Sequence, residues 1–163
     1  MEWVLAALVL GADIWLKRYA AEALSMSPVE VIPGVLSLVY TENRGAAWGM
    51  LQGARVLFIV LTAVFLVLVL VFHFRHRKEL GGLSRVILAL LFSGALGNFI
   101  DRLVLGYVRD MIYFSLIDFP VFNLADSAIV IAAGLLIIET LSRKKGIFDI
   151  AEKALTKKRN CGN

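Results

Sequence analysis

The sequence predicts an all-α membrane protein with four transmembrane helices and a small extracytoplasmic β/amphipathic-helix segment between helices 1 and 2. Three observations support this fold class. Of the 163 residues, 60% are hydrophobic and 18% are charged, whereas a soluble domain carries about 25% charged residues. The apolar residues gather in four stretches, and most Lys and Arg residues fall on one side of them. We therefore expect a single integral membrane domain over residues 1–163.

The four helices are expected at approximately 2–23, 55–74, 84–103 and 122–142. A helix needs roughly 20 residues to cross a hydrocarbon core of about 30 Å, so the charged residues that flank each apolar run must lie within the helices. In the first helix, Lys17 can extend its charge to the interface. That helix lacks the basic start and the small-residue cleavage site of a signal peptide, so we expect it to be retained.

The outer segment, residues 25–54, is long enough to hold structure of its own. A Pro-Gly turn precedes a run rich in β-branched residues at 34–40, which predicts one or two short strands. Residues 43–53 are rich in Gly and Ala and carry apolar anchors, so they suit an amphipathic element on the outer leaflet.

The distribution of charge predicts the orientation. Between helices 2 and 3 and in a basic tail at 143–163 lie 11 of the 17 Lys and Arg residues. The positive-inside rule makes that side cytoplasmic and places both termini inside. Acidic residues predominate on the other side, where the end of helix 3 brings Asp101 and the start of helix 4 brings Asp126. Asp13 in helix 1 is expected at a similar depth.

Ionisable groups in spans are costly and are therefore candidates for function, yet each of these has a structural alternative. Asn123 and Asp126 have the spacing of a helix capping box. Asp101 and Arg102 could form an adjacent ion pair at a helix end, and Asp13 and Lys17, four residues apart, could simply pair. For each of the last two pairs we favour the structural interpretation on the residues alone.

Carboxylate chemistry is the catalysis that the residues support best. The sequence has neither a G-x-S-x-G nor an H-E-x-x-H motif, and no His lies on the acidic side. Two carboxyl groups about 3 Å apart share a proton, so that one acts as a base on water and the other as an acid. Asp126 needs one such partner, and Asp101, Asp110 and Asp118 are the candidates.

Five motifs in order resemble lipoprotein signal peptidase (signal peptidase II), a family of bacterial membrane aspartyl proteases. They are Asp13-Ile14-Trp15-Leu16-Lys17, Asn43-Arg44-Gly45-Ala46-Ala47-Trp48-Gly49, Gly97-Asn98-Phe99-Ile100-Asp101-Arg102, Val108-Arg109-Asp110-Met111-Ile112 and Phe122-Asn123-Leu124-Ala125-Asp126. Together they extend over most of the chain and are much more specific than any single motif.

The resemblance implies an aspartic endopeptidase that removes the signal peptide from diacylglyceryl-modified prolipoproteins, cleaving before the lipidated Cys. It implies Asp110 and Asp126 as the catalytic pair, with substrate-binding or supporting roles for Asp13, Lys17, Asn43, Gly45, Asn98, Asp101, Arg102 and Asn123. It implies no cofactor and no metal. The expected partners are the prolipoprotein, membrane lipids and the inhibitor globomycin, without nucleic acid, and the expected state is a monomer in the bacterial cytoplasmic membrane with its active site on the outer side.

Two residues depart from this pattern or compete with it. Arg109 stands where the family usually has a small apolar residue, and it could either lower the pKa of Asp110 or point to anionic headgroups. Asp118, just before Phe119-Pro120, is expected to be a decoy at a loop position.

Two other functions compete with the protease. A four-helix proton-coupled small-molecule transporter would need a carboxylate near the bilayer midplane, whereas these acids cluster at helix ends. A non-catalytic scaffold would leave the five motifs unexplained.

Overall fold

The computed structural model describes residues 1–45, 50–142 and 146–160, with side chains described as far as 156. Five α-helices run along this part of the chain, α1 (Glu2–Ala23), α2 (Arg55–His76), α3 (Gly82–Val104), α4 (Leu124–Leu141) and α5 (Ile147–Asn160). Three strands complete it, β1 (Val29–Ile32), β2 (Leu36–Asn43) and β3 (Val108–Phe114), and a short 3₁₀ turn follows at Ser115–Ile117.

Three helices, α2, α3 and α4, are long and apolar enough to cross a membrane. The protein is therefore mostly helical with apolar helices of membrane-spanning length. Helix α1 has 22 residues, but its sequence carries Glu2, Asp13, Lys17, Arg18 and Glu22, which lower its hydropathy.

Strands were predicted between the first two helices, and β1 and β2 confirm that prediction. The sheet is larger than expected, because the connection between α3 and α4 contributes a third strand, β3. The order is β1-β2-β3, and both pairs are antiparallel. The predicted amphipathic element at 43–53 is only partly visible, because β2 continues to Asn43 and residues 46–49 lie outside the described part of the chain.

Strand β3 joins the sheet to the start of α4. On one side it pairs with β2, with Thr41 opposite Asp110. On the other side the Ile112 backbone N–H donates to the carbonyl of Phe122 at 2.8 Å, and the Phe122 N–H donates to the carbonyl of Ile112 at 3.0 Å. The sheet therefore fixes Asp110 close to the residues that begin α4.

Helix α3 lies at the centre of the bundle and packs against α1, α2 and α4. Two glycines make close approach possible. A Cβ atom on Gly94 would lie 2.5 Å from the carbonyl oxygen of Ala125, and one on Gly97 would lie 2.5 Å from Oδ2 of Asp13. These two glycines therefore give α3 a face of small residues where it contacts α1 and α4.

At the other end of the bundle, the basic tail forms α5. Ile150 of α5 packs with Val69, Leu80 and Leu88 in a buried apolar cluster that joins α2, the α2–α3 turn and α3. Residues 143–145 and 161–163 of the predicted tail lie outside the described part of the chain.

Candidate active site

The two carboxylates named by the resemblance, Asp110 and Asp126, lie at the end of the bundle that the sheet covers. Asp110 is on β3 and is only 2% exposed. Two asparagine amides hold its carboxylate. Asn123 Nδ2 donates to Oδ1 at 2.6 Å, and Asn43 Nδ2 donates to Oδ2 at 3.0 Å. One asparagine at the start of α4 and one at the end of β2 therefore hold the Asp110 carboxylate by hydrogen bonds.

Asp126 lies in the first turn of α4. The predicted capping box is confirmed, because Asn123 Oδ1 accepts from the Asp126 backbone N–H at 2.9 Å and Asp126 Oδ2 accepts from the Asn123 N–H at 3.2 Å. The other oxygen of Asp126 accepts from Asn98 Nδ2 of α3 at 2.7 Å. The cap and a role in the site are thus compatible, because each carboxylate oxygen has a different donor.

Two asparagines link the carboxylates to a buried lysine. Asn98 Oδ1 accepts from Asn123 Nδ2 at 3.1 Å and from Lys17 Nζ at 2.9 Å. Lys17 is fully buried, and its ammonium also contacts Asp13 Oδ2 at 2.7 Å, so the predicted Asp13–Lys17 pair is confirmed. Asp13 Oδ1 in turn accepts from the Ala125 backbone N–H at 2.9 Å, which ties α1 to the start of α4.

Asp101 does not make the adjacent pair with Arg102 that we had favoured. Its carboxylate lies 3.7 Å from Lys17 Nζ and accepts two hydrogen bonds from Arg109, at 2.7 Å from Nη2 and 3.2 Å from Nε. It also accepts from the Arg109 backbone N–H at 3.0 Å. Asp101 lies one turn before the end of α3, so it can reach forward to β3, whereas neighbouring side chains on a helix diverge.

The guanidinium of Arg109 is therefore bound by Asp101, a contact that neither of the two alternatives considered for this residue had included. Burial acts to lower the pKa of Arg109, but the hydrogen bonds to Asp101 and the attraction of its charge together raise it above its ordinary value. Arg102 extends elsewhere, donating from Nη2 to the carbonyl of Gly45 at 3.2 Å and lying over the ring of Phe58. The sequence signal for the Arg109 contact is Asp101, an acidic residue eight positions earlier near the end of a hydrophobic helix.

Burial, and then the negative charge of Asp126, raise the pKa of Asp110 from 3.8 to about 7. Its hydrogen bonds with Asn43 and Asn123 act in the opposite direction but are weaker. Burial and the neighbouring charge of Asp126 therefore both favour the protonated form of Asp110, as expected when two carboxyl groups lie in one site.

A cleft of about 480 Å³ opens beside Asp126. Its polar wall contains Asn43, Gly45 and Arg102 with Asp126 itself, and the remaining wall is mostly apolar and is formed by Phe119, Pro120, Val121, Phe122, Ser127, Val130 and Ile131. All ten residues predicted for the site lie in this cleft or in the hydrogen-bond network behind it. Asp118 is separate, since it is exposed and accepts from the Tyr113 hydroxyl at 2.7 Å.

In residues 1–45, 50–142 and 146–160, no group of three or more His, Cys, Asp or Glu side chains is arranged to hold a metal ion. The acids of the site instead have asparagine amides, a lysine and an arginine as their partners. The arrangement fixes two carboxyl groups on one asparagine, with one of them at the wall of a mostly apolar cleft.

Comparison with known proteins places this geometry in a family. The sequence model described as Signal peptidase (SPase) II matches residues 5–142. The lipoprotein signal peptidase of Enterococcus faecalis is 39% identical over 130 residues, which cover 79% of this chain and 80% of that protein. The lipoprotein signal peptidase of Halothermothrix orenii is 39% identical over 146 residues, which cover 89% of this chain and 98% of that protein.

Solved structures agree with the sequence relatives. A bacterial membrane enzyme structure obtained by the in meso method at 2.3 Å resolution matches with a TM-score of 0.79 and 35% identity, covering 88% of this chain and 92% of that chain. A second such structure, at 1.9 Å resolution, matches with a TM-score of 0.76 and 35% identity, covering 88% of this chain and 94% of that chain. The chain belongs to the signal peptidase II family.

Proposed function

We propose that this chain is an aspartic endopeptidase that removes the signal peptide from prolipoproteins, with Asp110 and Asp126 as its catalytic pair. The observation that carries the proposal is that Asn123 holds both acids, donating to Asp110 from its side chain and capping Asp126 in the first turn of α4. Membership of the signal peptidase II family supports the same reaction.

The raised pKa of Asp110 supports the role of acid for this residue, which then donates a proton to the carbonyl oxygen of the scissile peptide. Asp126 acts as the base and takes a proton from water, whose oxygen bonds to the carbonyl carbon. When the tetrahedral intermediate collapses, the C–N bond breaks, the leaving amine takes the proton from Asp126, and Asp110 recovers its own from the new hydroxyl. Asn98 and Asn43 keep the carboxylates in place.

The cleft supports a lipid-bearing substrate that is cleaved before its diacylglyceryl-modified Cys. Its apolar wall includes Val130 and Ile131 of α4, which are 69% and 55% exposed, so the cleft is open on the side of a hydrophobic helix. A substrate held in the membrane by acyl chains can reach such a cleft by lateral diffusion. The polar wall at Asn43 and Arg102 would face the peptide.

We place α1 as a fourth span, with both termini cytoplasmic, the acids on the outer side and the bacterial cytoplasmic membrane as the location. Charges in a span are tolerated when they face the protein interior and pair. Asp13 and Lys17 of α1 meet this condition, being 1% and 0% exposed and in contact with each other. The excess of Lys and Arg at the other end supports this orientation. A monomer contains the complete network of Asn43, Asn98 and Asn123.

The transporter alternative receives no support from these contacts. The carboxyl groups are tied to a sheet and a helix start at one end of the bundle, whereas a transported ion or solute needs a site near the midplane.

The test is to incubate the purified protein in detergent with a diacylglyceryl-modified prolipoprotein and with the same protein unlipidated, and to follow the mass of a lost signal peptide. We expect cleavage of the lipidated form alone, inhibited by globomycin. Asp110→Asn and Asp126→Asn should each abolish cleavage without unfolding the protein, because an amide cannot exchange the proton. Asp118→Asn is the matched control and should stay active. An active Asp110→Asn with an inactive Asp118→Asn would exchange the two assignments.

A further inference from the structure

Helix α5 lies beyond the segment that matches the family, which ends at residue 142. It is at the end of the bundle opposite the two catalytic candidates, because Ile150 packs with Leu88 near the start of α3 and the Ile147 backbone N–H donates to Glu139 near the end of α4. It therefore has no part in the proposed chemistry.

Glu139 fixes the direction in which α5 leaves the bundle. This glutamate is 4% exposed, and its two oxygens accept from Ser84 Oγ at 2.6 Å and from the Ile147 backbone N–H at 3.0 Å. Asp149 accepts from the Gly146 N–H at 3.0 Å in the same turn. Two carboxylates thus stabilise the start of α5, where the helix dipole favours negative charge.

The two apolar sides of α5 differ in their surroundings. Ile150 is 1% exposed and is covered by Val69, Leu80 and Leu88. Phe148 and Leu155 are seven residues apart and share another side, where the protein leaves them 57% and 68% exposed. Docking to the bundle therefore accounts for only one apolar side.

Membrane insertion as a span cannot cover the second side. The 14 residues of α5 are about 21 Å long, which is less than a hydrocarbon core of about 30 Å. The helix also contains six charged residues, Asp149, Glu152, Lys153, Lys157, Lys158 and Arg159. A short helix with an apolar side and a basic excess is typical of the membrane interface.

The positive charge at this end of the protein favours lipids with anionic headgroups. Four of the six charged residues of α5 are basic, and one of the two acids, Asp149, is engaged at the helix start. Positions 158 and 159 come one helical turn after Leu155, on the same side. Arg77 and Arg85 add two more cationic residues at this end, joined by a hydrogen bond from Arg85 Nη2 to the Arg77 carbonyl.

We propose that α5 is a surface helix that binds anionic phospholipid headgroups, with Phe148 and Leu155 inserted at the acyl boundary beside the bundle. This inference goes beyond the proposed function and needs only that the helices α2 to α4 span the membrane. The ligand is a lipid surface of negative charge, and polybasic segments are attracted to such surfaces.

The test uses the full chain with Cys161→Ser, so that a new cysteine is the only one. Leu155→Cys carries a nitroxide on the apolar side, and Thr156→Cys, the adjacent exposed position about 100° around the helix, is the matched control. Each is reconstituted in vesicles rich in phosphatidylglycerol and in vesicles of phosphatidylcholine, and collisions with oxygen and with a water-soluble nickel chelate report depth. Lys158→Gln with Arg159→Gln, at the two positions one turn after Leu155, is compared with the charge-retaining exchange of Lys158→Arg with Arg159→Lys.

In phosphatidylglycerol we expect the label at 155 to be protected from nickel and accessible to oxygen, while the label at 156 stays exposed to nickel. Protection at 155 should weaken in phosphatidylcholine and in the Gln pair, where each lost charge lowers the constant for lipid binding about fivefold, and it should persist in the charge-retaining pair. Equal nickel access at 155 and 156 would overturn the proposal. Protection independent of lipid charge, or dependent on protein concentration, would assign the surface to another partner. Cleavage activity is a separate readout, so its absence would not affect this result.

Discussion

Gly94 is the position where one added methyl group should disturb the site most. It lies where α3 crosses the start of α4, and a Cβ atom there would lie 2.5 Å from the Ala125 carbonyl oxygen and 2.8 Å from Ile129 Cγ1. An ordinary contact begins near 3.4 Å, so Gly94→Ala requires a shift of about 0.9 Å at the backbone that directly precedes Asp126. A backbone carbonyl cannot rotate away as a flexible side chain can.

The magnitudes separate the effect on stability from the effect on activity. Overpacking a close contact costs about 1–3 kcal/mol, while replacing Gly by Ala within a helix contributes about 1 kcal/mol in the opposite direction. We therefore expect the free energy of unfolding to fall by about 0–2 kcal/mol. Because a displacement of about 1 Å can lower a rate 10²-fold, kcat should fall by about that factor.

The measurement compares kcat for prolipoprotein cleavage with unfolding in mixed detergent micelles. Gly134→Ala is the control, since a Cβ atom on this glycine of α4 meets nothing within 4 Å. It should keep the wild-type rate and match or exceed wild-type stability. If Gly94→Ala cleaved at the wild-type rate and was as stable as Gly134→Ala, the close packing of α3 on α4 could not be what positions Asp126.

Four further predictions concern the charges of the site and the absence of a metal from its mechanism. Arg109→Val should lower the free energy of unfolding by about 1.5–3 kcal/mol, which is the value of hydrogen bonds to a charged group. The loss should be no larger, because Lys17 remains near Asp101. A double-mutant cycle of Arg109→Val and Asp101→Asn should show coupling, and additive losses would contradict the contact. Since the folded-state pKa of Asp110 is raised, the native state binds more protons than the unfolded state between pH 3.8 and about 7, so stability should fall as pH rises through this window. Asp110→Asn should flatten that slope in unfolding titrations, and an unchanged slope would refute the assignment. Activity should fall above about pH 7, as the pair of carboxyl groups loses its proton. EDTA should have no effect on cleavage, and inhibition by EDTA that a metal ion reverses would contradict a carboxylate mechanism.

Local contacts of the site were predictable from spacing. Asn123 and Asp126 are three residues apart at a helix start, and Asp13 and Lys17 are four apart in a helix, so a known geometry follows from sequence distance alone. The four long helices were also predictable from the sequence, because polar segments separate the stretches rich in apolar residues that form them.

Contacts between distant segments were not predictable in this way. The pairing of Thr41 with Asp110 depends on strand register, and β3 carries Arg109 and Asp110 in a short segment that reads equally well as a loop. The ion pair between Asp101 and Arg109 depends on the turn that brings β3 back towards α3. Glu139 and Ile147 meet only because α5 folds back on the bundle. In each case tertiary packing stabilises the contact, and the intrinsic helix or strand propensity of the residues does not report such packing.

The dependence of both acids on Asn123 has a consequence for biosynthesis. Asn123 precedes α4, and its backbone cap, its bond to Asp110 and its bond to Asn98 exist only when that helix has formed. A nascent chain that has emerged only as far as β3 contains Asp110 but neither its amide donor nor its acidic partner. If Asp110 and Asp126 are the catalytic pair as proposed, competence for cleavage therefore requires that α4 be in place, since its start supplies both Asn123 and Asp126.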